Sequence, residues 1–240
     1  MIVNHNFHIS QLGRDRKVRV YLPPSYHRKE RKYPVIYMHD GQNLFDTQSA
    51  YGRPWYVDKI IDKMPAKRQV VVVGIDNGEM ERLKEYSAFS RENHVAEGSA
   101  YLKFITENLK PFIDQNYRTH TTPEHTWMVG SSMGGLITHY AGMNYPDVFG
   151  KVGIFSPSIW FNPEITYYEP PKPLTNNSFY VAGSRTESRA MEGDLKNVYW
   201  SFKKSAVPDT NLRVIVRDKG RHNEAFWARE FKKLMLEWTK

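Results

Sequence analysis

Apolar residues follow two patterns along this chain, and the two patterns predict different elements. Short runs of apolar and β-branched residues predict strands at 17–22, 35–38, 70–75, 126–129, 151–155, 178–182 and 212–217. Apolar residues spaced three and four apart predict helices at 56–63, 101–113, 136–145, 191–204 and 224–238. Strands that alternate with helices are typical of an α/β fold, with a mostly parallel central sheet and helices on both faces.

The remaining segments contain no repeat, low-complexity tract or linker, so we interpret residues 1–240 as a single domain. Residues 76–98 are polar and are interpreted as a loop, with Tyr86 and Phe89 as candidate pocket walls. The segment 156–173 is rich in proline and aromatic residues and is too irregular for a regular element. We expect it to form a cap or rim over a binding site.

The composition suits a packed globular protein and excludes several other classes. Of 240 residues, 40% are hydrophobic and 14% are aromatic, and no run approaches the roughly 18 to 20 apolar residues of a membrane span. The first residues lack the basic and apolar regions of a signal peptide. Cysteine is absent, which excludes disulfides, thiolate metal ligands and a cysteine nucleophile. These features predict a cytoplasmic protein with no membrane contact.

The net charge of +8 bears on the choice of partner. Basic residues are scattered apart from the run 28–32, which we interpret as a solvated loop. No nucleic-acid recognition motif accompanies them, so we expect no nucleic-acid partner. Attraction of an anionic substrate stays open.

The segment from Gly130 to Gly134 has the pattern G-x-S-x-G, with Ser132 at its centre. A predicted strand precedes it and a predicted helix follows, as in a nucleophile elbow, where a serine stands on a sharp turn between the two. Glycine at both flanking positions relieves the crowding between the strand and the helix. The alternative is an ordinary glycine-serine turn at the end of a strand.

Two further residues follow predicted strand ends in the order expected of an α/β hydrolase: serine, then acid, then histidine. Glu187 follows the strand 178–182, and His222 follows the strand 212–217. A neutral imidazole is needed to take the proton of a serine hydroxyl, and a carboxylate is needed to orient the imidazole. We therefore predict Ser132, His222 and Glu187 as the catalytic residues. Asp194 stays open as the acid, and Asp218 is a weaker alternative because it is so close to His222 in the chain.

Ester hydrolysis also needs two backbone N–H groups that stabilise the oxyanion. We expect one from Met133, which follows the nucleophile, and one from Gln42, with Gly41 as second choice. The turn that contains them begins with His39 and Asp40, which could alternatively bind a metal. Two adjacent residues make a poor metal site without further ligands, so we expect no metal and no cofactor.

At this point the sequence resembles the esterase family of α/β hydrolases, which includes siderophore esterases of the enterobactin type, feruloyl and acetylxylan esterases, S-formylglutathione hydrolase and mycolyltransferases. The segments that carry the resemblance are 38–46, 108–114, 130–135, 145–149, 156–158 and 220–222. The resemblance implies Ser132 as nucleophile, His222 as base, and an acid after the strand at 178. It also implies oxyanion donors at Met133 and Gln42.

The leading hypothesis is a serine carboxylesterase that acts on a small-molecule ester through an acyl-enzyme. We expect substrate contacts from Asp40, Gly41, Trp55, Trp160 and Arg221. Further aromatic candidates for the pocket are Tyr56, Phe161, Tyr167 and Tyr168, and further basic candidates are Arg53, Arg91, Arg185 and Arg189. The alternatives are a siderophore esterase, a transferase that shares the acyl-enzyme, and a non-catalytic binding module. The oligomeric state and the natural substrate stay open.

Overall fold

A computed structural model describes residues 1–28 and 30–240. The basic run predicted as a solvated loop at 28–32 includes Lys29, which lies outside the described residues. None of the helices in the described part of the chain combines the length and the apolar content that a membrane crossing requires.

Eight strands form one sheet in the order β1-β2-β4-β3-β5-β6-β7-β8. Their bounds are β1 Ile2–Ile9, β2 Arg14–Tyr21, β3 Val35–His39, β4 Val71–Ile75, β5 Thr126–Ser131, β6 Lys151–Phe155, β7 Ser178–Ser184 and β8 Leu212–Arg217. The pairs β1–β2 and β2–β4 are antiparallel, and every other neighbouring pair is parallel. The six parallel strands therefore end at the same edge, where ligands bind in such sheets.

Helices cover both faces of the sheet. Their bounds are α1 Val57–Asp62, α2 Arg82–Glu85, α3 Gly98–Lys103, α4 Lys110–Asn116, α5 Met133–Asn144, α6 Met191–Lys204 and α7 Glu224–Trp238. Alternate residues of the central strands point to opposite faces and enter separate hydrophobic cores. Apolar residues of α1 and α7 belong to one core, and those of α3 to α6 belong to the other. The prediction of a mostly parallel sheet with helices on both faces is confirmed.

Three elements differ from the prediction. The strand β1 was not predicted, because histidine and asparagine interrupt its apolar alternation. Residues 76–98 are not all loop, since they contain the short helix α2. The helix predicted at 101–113 is interrupted by a π-helical stretch, Phe104–Leu109, just before Pro111. Proline has no N–H to continue the α-helical ladder, which accounts for the changed hydrogen-bond pattern.

Candidate active site

Ser132 lies on a strained turn between β5 and α5. Its backbone angles are φ 57° and ψ −125°, which a residue with a side chain rarely adopts. Two hydrogen bonds hold this conformation: the Ser132 N–H donates to the Phe155 carbonyl at 3.0 Å, and the Ser158 N–H donates to the Ser132 carbonyl at 3.1 Å. The turn is therefore fixed from the neighbouring strand β6 and from the residues that follow it.

Gly130 has no room for a side chain. A Cβ atom placed on Gly130 would lie 2.3 Å from the carbonyl oxygen of Gly134, which is in the first turn of α5. A Cβ atom on Gly134 would lie 3.2 Å from His39 Cβ and 3.3 Å from a carboxylate oxygen of Asp40. The first turn of α5 thus packs closely against β5 on one side and against the turn after β3 on the other.

The three side chains predicted to act together form one chain of hydrogen bonds. His222 Nε2 lies 2.9 Å from Ser132 Oγ, and His222 Nδ1 lies 2.9 Å from Glu187 Oε2. The arrangement fits the tautomer with the proton on Nδ1, which donates to the carboxylate and leaves Nε2 to accept from the serine hydroxyl. Ser132 lies 90 positions from His222 in the sequence, and Glu187 lies 35 positions from it. The three meet because the strands that precede them end at the same edge of the sheet.

The carboxylate of Glu187 is nearly removed from solvent, with 1% of its side chain exposed, whereas the His222 side chain is 40% exposed. The backbone N–H of Ser184 donates to Glu187 Oε1 at 2.7 Å, so each carboxylate oxygen has a partner. The alternative acids are placed differently. Asp194 is half-buried in the first turn of α6, and Asp218 binds the guanidinium of Arg185 at 2.5 Å.

The loop after β7 and the loop after β8 are joined by Thr186. Its hydroxyl donates to the Gly220 carbonyl at 2.6 Å and accepts from the Gly220 N–H at 3.0 Å. After the β8 loop, the Asn223 side chain caps α7 by accepting from the Phe226 N–H at 3.2 Å. The edge of the His222 ring meets Trp227 at a centroid distance of 5.0 Å. These contacts set the position of the imidazole.

Residues 40–43 form the turn after β3, here called the β3 turn. A Cβ atom on Gly41 would lie 2.6 Å from the backbone carbon of Gly74, so only glycine allows this approach. Gln42 lies in a short 3-10 helix, Gly41–Asn43, and Met133 is the first residue of α5. N–H groups in the first turn of a helix have no acceptor within the helix, so both are suited to donate to a ligand oxygen.

The β3 turn is anchored by an ion pair between the buried carboxylate of Asp40 and the half-buried guanidinium of Arg82. Arg82 Nε and a terminal nitrogen of Arg82 lie 2.7 and 2.9 Å from the two carboxylate oxygens of Asp40, and Asn77 Nδ2 donates to one of them at 2.7 Å. The Asp40 N–H donates to the Tyr86 hydroxyl at 3.1 Å, and the Asn77 N–H donates to Gln42 Oε1 at 3.1 Å. Asp40 itself adopts φ 55°. The network therefore fixes both the strained residue and the neighbouring Gln42.

The electrostatics of this pair favour its charged form. Burial disfavours the carboxylate of Asp40, but the charge and hydrogen bonds of Arg82, together with the hydrogen bond from Asn77, outweigh burial and lower its pKa. Burial likewise opposes the charge of Arg82, but Asp40 outweighs it and raises the pKa of the guanidinium. The carboxylate of Asp40 already binds Arg82 and Asn77. The predicted contact of Asp40 with substrate stays a prediction.

His39 is buried beneath the β3 turn. Its Nδ1 lies 2.9 Å from the Tyr101 hydroxyl, and its ring packs against Tyr86 at 5.2 Å. Burial lowers its pKa to about 4, against the opposing effect of Asp40 and with a small contribution from Arg82 in the same direction. Among residues 1–28 and 30–240, no three histidine, aspartate or glutamate side chains are grouped as metal ligands would be.

The remaining predicted contact residues lie at different depths. Trp55 is 5% exposed and packs against Phe155 and Trp227, whereas Trp160 is 68% exposed on the segment after β6. Arg221 is exposed and directly precedes His222. Contact of these residues with substrate stays a prediction.

Four residues of the site and of the loops that support it were not predicted. Ser158 places its hydroxyl 3.3 Å from Ser132 Oγ, while Thr186, Asn77 and Arg82 act through the loops described above. The signal for Ser158 was present in the Ser-Pro-Ser segment that follows β6, at the same sheet edge. No sequence pattern indicated a role for Arg82 or Asn77, because both lie in a polar segment far from Asp40 in the chain.

Comparison with known proteins shows the family to which the chain belongs. The family model described as "Putative esterase" matches residues 9–234. The uncharacterized protein YbbA of Bacillus subtilis (strain 168) is 29% identical over 239 residues, which cover 93% of this chain and 92% of YbbA. An iron(III) salmochelin esterase of Escherichia coli O6:H1 is 29% identical over 176 residues, which cover 68% of this chain and 39% of that protein.

A solved structure shows the same fold at lower identity. The enterobactin esterase FES from Shigella flexneri, crystallised in the presence of enterobactin, superimposes with a TM-score of 0.76 at 16% identity. The superposition covers 99% of this chain and 58% of that one. The sheet order, the helices on both faces and this likeness confirm the predicted α/β-hydrolase fold. The chain belongs to the esterase family that the matching model defines, and hydrolysis of esters is the activity that this family supports.

Proposed function

We propose that this protein is a serine carboxylesterase in which Ser132, His222 and Glu187 carry the reaction. The observation that supports the proposal is the pair of 2.9 Å contacts that links the serine hydroxyl through the imidazole to a desolvated carboxylate. Such a chain activates a serine because the imidazole accepts its proton and the carboxylate stabilises the imidazolium that results.

The reaction proceeds in two halves. Ser132 Oγ attacks the ester carbonyl while His222 Nε2 takes its proton, and the oxyanion accepts hydrogen bonds from the N–H groups of Met133 and Gln42. His222 then gives the proton to the leaving alcohol, which leaves an acyl group on Ser132. Water, deprotonated by the same imidazole, attacks this acyl group, and His222 returns the proton to Ser132 Oγ as the acid leaves. We place the reaction in the cytoplasm, because a chain without cysteine suits a reducing compartment.

Labelling and kinetics test the mechanism together. A fluorophosphonate probe should label the native protein, and mass spectrometry should locate the adduct on Ser132. The variant Ser132→Ala should lose labelling and lower kcat for p-nitrophenyl acetate by about 10⁴-fold or more. Ser131→Ala is the matched control, since it removes the neighbouring hydroxyl of the same motif. Labelling that persists in Ser132→Ala would place the nucleophile at another residue and reject the proposal, and a native protein that is not labelled would favour the non-catalytic module.

A second candidate for the substrate is an anionic catecholate ester of the siderophore type. The relative named an iron(III) salmochelin esterase supports it, as does the exposed guanidinium of Arg221 directly before His222. Comparison of kcat/KM for a ferric triscatecholate trilactone with that for p-nitrophenyl esters separates the two substrate classes. A preference of tenfold or more for the ferric ester would favour the siderophore class. Preference for simple acyl esters would reject it.

A further inference from the structure

A groove separates two helices on the face of the sheet covered by α1 and α7. It has a volume of about 600 Å³ and is lined by residues 53–56, which precede α1, by one face of α1 and the residues after it, and by one face of α7. This volume lies within the range of about 300 to 1,000 Å³ that is usual for small-molecule sites. Ser132 and His222 do not line it, so the groove is separate from the site described above.

The floor of the groove is apolar. Trp55 and Met64 are buried at its base, and Ile60 is half-buried on the face of α1. On the other side, Ala225 and Ala228 of α7 present only methyl groups. Because these two side chains are small, α7 leaves open a space that larger residues at those positions would fill. The groove is a consequence of this sequence rather than of loose packing.

The rim of the groove is cationic. Five exposed basic side chains surround the floor, namely Arg53, Lys59, Lys63, Arg229 and Lys232. Lys59 lies on α1 and Lys63 directly follows the end of α1, four positions later, while Arg229 and Lys232 share one face of α7. No acidic residue is among the described residues that line the groove.

Few of these charges are neutralised by the protein itself. Lys59 lies 3.2 Å from a carboxylate oxygen of Asp58, and the guanidinium of Arg229 lies 5.9 Å from the centre of the Phe226 ring. Within the described part of the chain, Arg53, Lys63 and Lys232 form no ion pair. Several like charges around an apolar floor attract an anion, and its apolar part gains free energy by leaving water.

We propose that this groove binds a free long-chain carboxylate, whose hydrocarbon chain lies on the apolar floor while its carboxylate meets the cationic rim. Binding needs no catalytic residue, so the proposal goes beyond ester hydrolysis and stands independently of it. The groove is nevertheless near the site: the ring of Trp55 lies 6.0 Å from that of Trp227, which lies 5.0 Å from His222.

The shape of the groove favours a free amphiphile over a membrane surface. Membrane association by a helix requires apolar side chains that protrude into the lipid. Here Trp55 and Met64 are buried at the base of a concavity, and Leu236 is the only large apolar lining residue, among those described, that is classed as exposed. A flat bilayer would reach the cations but not the floor.

Calorimetry with dodecanoate, kept below its micelle concentration, tests the proposal on the native protein, since a free carboxylate contains no ester bond to hydrolyse. Dodecanoate should bind saturably with one molecule per chain. Butyrate, which lacks the chain, and dodecyltrimethylammonium, which reverses the charge, should each bind at least tenfold more weakly. Affinity for dodecanoate should fall as salt is added.

Variants of the groove give the decisive comparison. Lys63→Glu/Lys232→Glu reverses two surface charges and should weaken dodecanoate binding at least tenfold, and Ala228→Trp should weaken it at least as much by filling the groove. Lys196→Glu, at an exposed position on α6, is the matched control and should change affinity less than twofold. Unchanged binding in the charge-reversal variant would overturn the proposal even if Ala228→Trp fails to fold. Equal binding of dodecyltrimethylammonium, or binding to anionic phosphatidylglycerol vesicles without binding to monomeric dodecanoate, would also overturn it.

Discussion

The two sides of Ser132 are held in different ways. On one side, the β3 turn is anchored from beneath by the ion pair of Arg82 with Asp40, which lies largely out of solvent. On the other side, the loops that carry Glu187 and His222 are joined at the surface by Thr186. A guanidinium again binds carboxylates there, but Arg185, Asp218 and Glu192 are all exposed.

This difference matches the roles that we propose for the two sides. A backbone N–H donor contributes most when it is fixed before the reaction begins, because it then needs no reorganisation as charge develops. In the proposed mechanism the imidazole exchanges protons with an alcohol and with water, and its partial exposure suits this role. The carboxylate behind it is the exception on that side, since Glu187 is desolvated and has a partner on each oxygen.

Replacement of that carboxylate should have the largest effect. Glu187→Gln keeps the size of the side chain but removes its charge, and its amide can donate to Nδ1 and stabilise the wrong tautomer of His222. We expect kcat for p-nitrophenyl acetate to fall by about 10⁴-fold with little change in thermal stability. Asp194→Asn, the variant of the alternative acid, should retain activity. A loss of activity in Asp194→Asn with none in Glu187→Gln would assign the role to Asp194.

The sequence could predict much of this site for one physical reason. Parallel strands end at the same edge, so Ser132, Glu187 and His222 each needed only a correctly predicted strand before them. The order of the three along the chain then distinguished them from other serines, acids and histidines. The bounds of β8, α6 and α7 match the prediction because each has an uninterrupted apolar pattern.

The support of the β3 turn could not be predicted in this way. Arg82 meets Asp40 across 42 positions, and no periodic pattern records which charge pairs with which over that separation. The strand β1 was missed because its alternating positions include His5 alongside Val3 and Phe7, so only part of the pattern is apolar. Tertiary contacts, rather than local preference, determine both features.

Removal of the guanidinium that pairs with the buried Asp40 should have the second largest effect. Arg82→Met leaves the carboxylate of Asp40 without its ion pair, and an uncompensated buried charge of this kind costs about 3–5 kcal/mol of the free energy of unfolding. A displaced β3 turn should also lower kcat by about 10²-fold, since catalysis is sensitive to shifts near 1 Å. Denaturant unfolding and p-nitrophenyl acetate kinetics measure the two effects.

Two further variants test the difference between the sides. Arg185→Met breaks an ion-pair network of the same chemical type at the exposed side, and we expect no measurable change in thermal stability or kcat. Adding Asp40→Asn to Arg82→Met removes the unpaired charge and should restore part of the lost stability. If Arg185→Met proved as damaging as Arg82→Met, burial would not be what distinguishes the two sides.

The smallest change that we expect to measure is the part of the pH dependence of stability that comes from His39, on the side of the β3 turn. Burial lowers the pKa of His39 to about 4, below the value near 6.5 of an unfolded chain, so between these values the unfolded state binds more protons than the folded one. Stability due to this group is therefore fully present above pH 6.5 and is lost as the pH falls. Between pH 7 and pH 5 the loss is about 2 kcal/mol. Denaturant unfolding at pH 7 and at pH 5 measures the fall in the free energy of unfolding between the two pH values. This fall should be about 2 kcal/mol smaller in His39→Gln than in the native protein. It should be unchanged in His27→Asn, which removes an exposed imidazole. An unreduced loss in His39→Gln would show that His39 is not the source of the acid sensitivity.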